Sequence, residues 1–167
     1  MKKPDALKRL LLRVVPQLAS APENLALYVD AGRVAARTGA TLSFEYRYKL
    51  NLVAQDFTGD RNALVVPLLA WIAEAQPDLL DKPDSEPFTF ESEILDGDAA
   101  DLSITLDLTE RVSVTPRAEG GYAVDHLDDG LPADLDRFEG VCGVALWQLL
   151  LRDELIAESS DPAYTGQ

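Results

Sequence analysis

The chain has 167 residues, 47% of them hydrophobic, enough for one domain with a substantial core and room for an appendage. No apolar run approaches the roughly 20 residues of a membrane span. A single cysteine, Cys142, and a single histidine, His126, exclude an internal disulfide and nearly exclude a zinc site built from those residue types.

The net charge is −14, which argues against direct nucleic-acid binding, because that rests on Lys and Arg neutralising phosphates. The charge is uneven. Residues 1–49 carry nine Lys/Arg against four Asp/Glu, a net of +5, and residues 50–167 carry six against twenty-five, a net of −19. Such asymmetry fits either an assembly surface or a solvated exterior. Met1-Lys2-Lys3 resembles the start of a signal peptide. Asp5, Lys8, Arg9 and Arg13 interrupt the apolar stretch that should follow, so the expectation is cytoplasmic synthesis without export.

Along the chain, Pro4 and Asp5 suit a first helical turn, and Leu7, Leu10, Leu11 and Val14 recur at helical spacing up to Pro16. Leu25, Leu27 and Val29 alternate with polar or small residues and predict a strand. Ala31-Gly32 reads as a turn, with residues 33–37 as a short return strand. After Gly39 comes the longest alternation: Leu42, Phe44, Tyr46, Tyr48, Leu50 and Leu52 on one side, and Ser43, Glu45, Arg47, Lys49 and Asn51 on the other. That period of two predicts a half-buried antiparallel strand with Arg47 and Lys49 facing away from the helices.

Asp60 can cap a second helix running to about Gln76, with Leu64, Leu68, Trp71 and Ile72 as its apolar stripe. Pro67 inside it predicts a kink or a late start. Two further alternating runs, 88–95 and 102–109, flank Asp96-Gly97-Asp98 and predict a hairpin. A short strand at 122–124 follows Gly120-Gly121. Residues 125–139 hold six acids and one arginine, and residues 146–151 and 155–157 suit a hairpin better than a helix. Helix, strands, helix and hairpin together predict an α+β fold. We expect an antiparallel sheet of about four to six strands packed by two main helices, with a C-terminal hairpin appendage.

No constellation of residues specifies catalysis. Asp125, Asp129, Gly130 and Asp136 imitate part of a calcium loop, but Leu127, Pro132 and the missing flanking helices argue for a solvated acidic linker. Asp96, Asp98 and Asp101 are explained by turn chemistry. His126 beside Asp125 has no nucleophile at a recognisable spacing and reads as a surface histidine in a loop. Cys142 lies in an apolar run and reads as packed. Phe44, Tyr46 and Tyr48 read as core aromatics sooner than as a ligand site. No phosphate loop or dinucleotide fingerprint is present.

One stretch is specific enough to carry a resemblance. It comprises 42–48, 50–52 and Asp56-Phe57, then Pro67-Leu68-Leu69-Ala70-Trp71 and 76–80, and later 101–104 and 108–112. These segments resemble the tail completion protein R family of peduovirus-type contractile-tailed phages and prophages, over roughly residues 1–115. The signature aromatics are Phe44, Tyr46, Tyr48 and Trp71.

The resemblance implies a structural component that completes or caps the tail so that the head can join. It implies no catalytic residues, no metal and no cofactor. It further implies a tail-terminator-like domain at 1–116, with an acidic linker and appendage at 117–167 packing on it. By fold-level analogy it implies self-association into a ring, six-fold in tail terminators, with tube, sheath or neck proteins as partners and neither nucleic acid nor membrane bound directly. The protein would be made in the host bacterial cytoplasm and end at the tail end or neck of the virion. Arg33, Arg37, Arg47 and Lys49 are the candidate interface residues, with acidic partners expected in 78–84 or 125–139. Two other readings compete: a small metal-dependent hydrolase using the acidic loops, and an acidic decoy for a basic partner.

Overall fold

The computed structural model describes residues 1–37, 39, 41–81, 83–95 and 99–127, and the backbone of two strands at 146–151 and 154–160. Helix α1 (Lys3–Val14) has proline in its first turn, Asp5 near its N-terminus and Arg13 in its last turn, each matching the helix dipole. It buries Leu7, Leu11 and Val14. Pro16 opens the short helix α2 (Pro16–Ser20), which buries Leu18. From α2 the Gln17 side chain accepts the N–H groups of Thr58 and Gly59 and donates to the Asp56 carbonyl at 2.8 Å, tying the helices to the far end of the sheet.

The long strands β1 (Leu25–Ala36) and β2 (Phe44–Phe57) pair antiparallel. Ala31-Gly32 is not a turn, as the sequence predicts, but a bulge within one continuous strand. Asp30 pairs with Lys49 and Arg33 with Arg47, so Ala31 and Gly32 together stand opposite Tyr48. Ala31 sits at φ 50, and Asp30 Oδ1 accepts its N–H at 2.8 Å. The bulge wins because β2 is long enough to partner the chain on both sides of it. It also keeps Val34 and Ala36 in line with the core-facing residues of β2.

Helix α3 (Asn62–Ala75) runs through Pro67 instead of starting after it. Asp60 Oδ1 accepts the Asn62 N–H at 2.7 Å. Strands β3 (Thr89–Ile94) and β4 (Ala100–Pro116) form the second antiparallel pair, and β5 (Tyr122–His126) pairs with the far end of β4. Gly120 and Gly121 make the turn before β5 at φ 92 and 81, values that glycine adopts at little cost. The sheet order is β1-β2-β4-β3, with β5 continuing the β3 edge. The strands β6 (Leu146–Leu151) and β7 (Glu154–Ser160) form an antiparallel hairpin whose β7 backbone lies beside α1.

The core lies between the helices and one face of the sheet. Tyr48, Leu50, Leu52 and Ala54 of β2 and Leu102, Ile104, Leu106 and Leu108 of β4 meet Leu7, Leu11, Leu64, Leu68 and Ile72. Fully burying one such leucine contributes about 1.5–3 kcal/mol. The structure is thus the α+β fold that the alternation predicts. The Asp96-Gly97-Asp98 turn, the acids of the linker beyond Leu127 and Cys142 lie outside the described residues.

Candidate functional site

The outer sheet face, opposite the helices, is polar and charged. Arg47 and Lys49 project from it, as the alternation predicts, with side chains 63% and 48% exposed. Both are compensated within the chain. Arg47 Nε lies 2.5 Å from Glu45 Oε2, and Lys49 Nζ lies 2.9 Å from Asp107 Oδ1 on the neighbouring strand. Arg33 stands directly opposite Arg47 on β1, a like-charge pairing that destabilises a sheet. Arg33 and Arg37 are exposed, and neither has a partner among the described residues. The four cations therefore divide into two that are neutralised and two that are not. Two open grooves flank them: one of about 500 Å³ touching Arg37, Arg47 and Glu45, the other of about 390 Å³ touching Arg33, Lys49, Asp78 and Asp107.

The signature aromatics separate in the same way. Tyr48 and Trp71 are buried at 3% and 6% exposure. Phe44 and Tyr46 are half-buried at the end of the sheet beyond the helices, their rings edge-on at 4.9 Å.

A buried polar cluster, not visible as a site in the sequence reading, joins α1 to the sheet. Glu110 is only 3% exposed. Its carboxylate accepts the backbone N–H groups of Lys2 at 2.8 Å and Lys3 at 3.3 Å, and the Tyr48 hydroxyl at 2.5 Å. An anion thus sits on the positive end of the α1 dipole. Burial pushes the Glu110 carboxyl upward, but the Tyr48 hydroxyl and the two N–H groups outweigh it and hold the group below the usual glutamate range. Tyr48 is pushed far up, first by burial and then by its bond to Glu110 and that residue's charge.

His126 is not in a solvated loop. It closes β5, stacks on Tyr46 and brings Nδ1 within 3.0 Å of Glu110 Oε2, without the alignment of a hydrogen bond. Pairing with β4 fixes it there, because β4 extends well past the apolar run that marked it in the sequence. One signal could have revealed Glu110: it shares the parity of Leu106, Leu108 and Val112, so an alternating strand places it on the core side.

Beside this cluster, Gln76 bonds the part of β4 that neither β3 nor β5 covers. Its Oε1 accepts the Thr109 N–H at 3.1 Å and Lys3 Nζ at 2.7 Å, and its Nε2 donates to Asp78 and to Thr109 Oγ1. All of these groups are tied to one another or to backbone. The cluster's chemistry is that of a helix cap and an edge cap. Among the described residues no three His, Cys, Asp or Glu side chains gather as a metal site, and Asp101 accepts the Asp56 N–H at 2.9 Å.

The family profile of the P2 phage tail completion protein R matches residues 1–130. The chain belongs to that family. The tail completion protein R of Escherichia phage P2 is 41% identical over 136 residues, covering 80% of this chain and 87% of the phage P2 protein. No solved structure matches the chain significantly. As a tail completion protein R homologue it has a structural role in phage tail assembly. The matched span takes in the whole five-stranded sheet, the helices and the Glu110 cluster.

Proposed function

We propose that this protein completes the tail of a contractile phage or phage-tail-like particle by binding the end of the tail as a ring of copies, so that the head can be joined. Membership of the tail completion protein R family carries this reading. The charge-split sheet surface supports it, since a ring needs one surface of a subunit to meet a different surface of the next. Arg33, Arg37, Arg47 and Lys49 serve as contact residues toward a neighbouring copy or toward tube, sheath or neck proteins. The protein acts by binding, not by catalysis, and touches neither nucleic acid nor membrane directly. Assembly takes place in the host cytoplasm, and the finished location is the tail end or neck. Residues 1–116 supply the tail-binding domain, and 117–167 pack on it as linker and appendage.

Deletion of the gene, followed by electron microscopy of the particles and complementation in trans, tests this. The expected result is unjoined heads and tails, with joining restored by the complementing copy. Normal head-filled virions in the deletion strain would overturn it.

A further inference from the structure

The two edges of the sheet carry opposite, uncompensated charge. β1 forms one edge, and β3 with β5 forms the other. On the β1 edge, Arg33 and Arg37 are exposed and have no partner among the described residues, and the one acid of the strand, Asp30, accepts the Ala31 N–H, so the edge keeps a net charge of +1. On the opposite edge, Glu91, Glu93 and Asp125 are likewise exposed and unpartnered, and neither β3 nor β5 contains a Lys or Arg. Part of the charge asymmetry of the sequence thus lies at the two sheet edges.

Neither edge strand carries lysine or proline; β1 is guarded only by its bulge, and β3 and β5 only by their short length of six and five residues. Edge strands are commonly blunted by lysine, proline, short length or a covering element, because their unpaired backbone groups invite another strand. β1 is twelve residues long and contains no Lys or Pro; its bulge is its one irregularity. Its edge exposes Tyr28 and Val34 at 53% and 61%. Every residue of β3 is exposed, with Phe90 and Ile94 at 61% and 75%.

From this we infer that β1 of one copy pairs with the β3/β5 edge of the next, continuing one sheet through the assembly. The inference rests on the proposed self-association and names its interface. Three observations commit the occupant to a second copy of this chain. The two edges are complementary in charge. Each offers apolar side chains together with free backbone groups. Finally, β1, β2, β4 and β3 alternate in direction, so a neighbour turned about an axis along the strands meets β3 with an antiparallel β1. Pairing would also relieve the Arg33–Arg47 repulsion left within the subunit. The surfaces that meet are different, so the contact is heterologous and propagates from copy to copy, as the ring of the proposed function requires.

A test that needs no assumption about register reverses each edge separately. The variant R33E/R37E carries acidic charge on both edges, and E91K/E93K/D125K carries basic charge on both. All five residues are exposed, so circular dichroism should match the wild type and melting should not fall, with R33E relieving the repulsion opposite Arg47. Sedimentation at low salt should show the wild type associating, and each variant alone weakened by about tenfold or more, through loss of several exposed pairs and gain of repulsion. An equimolar mixture of the two variants should recover association, and high salt should weaken all of it. Amide exchange across β1 should slow in the associated form. If the wild type associates but the single variants associate equally well, or if the mixture stays monomeric, the edge pairing is wrong while self-association stands. A wild type that remains monomeric at high concentration and in low salt overturns the self-association itself.

Discussion

Glu110 is the residue on which α1, β2, β4 and β5 converge. It accepts from the start of α1 and from Tyr48, so removing one donor tests how much the cap contributes. Tyr48→Phe keeps the ring in the core and removes only the hydroxyl; it should lower unfolding free energy by about 1–3 kcal/mol in denaturant titration. The pH dependence has a definite sign. A carboxyl held below its ordinary range when folded supplies stability above the ordinary glutamate range, and that stability is lost as pH falls through the lower, folded value. Glu110→Gln should be less stable than the wild type at neutral pH, and the gap should narrow on acidification. A gap independent of pH would mean that the carboxylate's charge contributes nothing. At this scale the sequence was only partly legible. Parity places Glu110 inward, but no local pattern says that a helix start more than one hundred residues away would meet it.

The elements themselves were legible wherever one face is buried. Period-two alternation marked β2 and β4 because each has a helix-covered side and a bare side. A register slip of one residue would put Arg47 and Lys49 into the core. Ala31-Gly32 reads as a turn in the sequence because Ala-Gly has turn chemistry. What keeps the strand going is a long-range partner, β2, which local chemistry does not report. β5 is legible as the short strand at 122–124, but its pairing with β4 and the placement of His126 are not, for the same reason. At the level of packing, α3 depends on Trp71, 6% exposed on its buried stripe. Trp71→Ala should cost about 3–5 kcal/mol, read as a lower denaturation midpoint with circular dichroism unchanged in native buffer. An unchanged midpoint would show that the indole is not part of the core.

At the scale of the whole molecule, composition reports the charge asymmetry, and the fold shows that two of its cations, Arg33 and Arg37, lie at one sheet edge and Glu91, Glu93 and Asp125 at the other. The sequence points to acidic partners in 78–84 or 125–139, because charge runs stand out in sequence. Glu91 and Glu93, spaced along an ordinary strand, do not. Arg47→Glu separates the contribution of Arg33 from simple net charge. The new carboxylate would stand opposite Arg33 and engage it within the subunit, so association should weaken at low salt. Monomer stability should change by no more than about 0.5 kcal/mol, as surface substitutions usually do. Equilibrium sedimentation at two salt concentrations and a melting curve measure both.

The central claim concerns where this sheet sits in a particle. The most direct measurement is a cryo-electron microscopy reconstruction of the tail end in virions carrying a tagged copy of the chain. The account predicts a single ring of copies at the end of the tail, at the junction with the head, with β1 of each copy against β3 or β5 of the next. Copies distributed along the length of the tail, or absent from the finished particle, would contradict it.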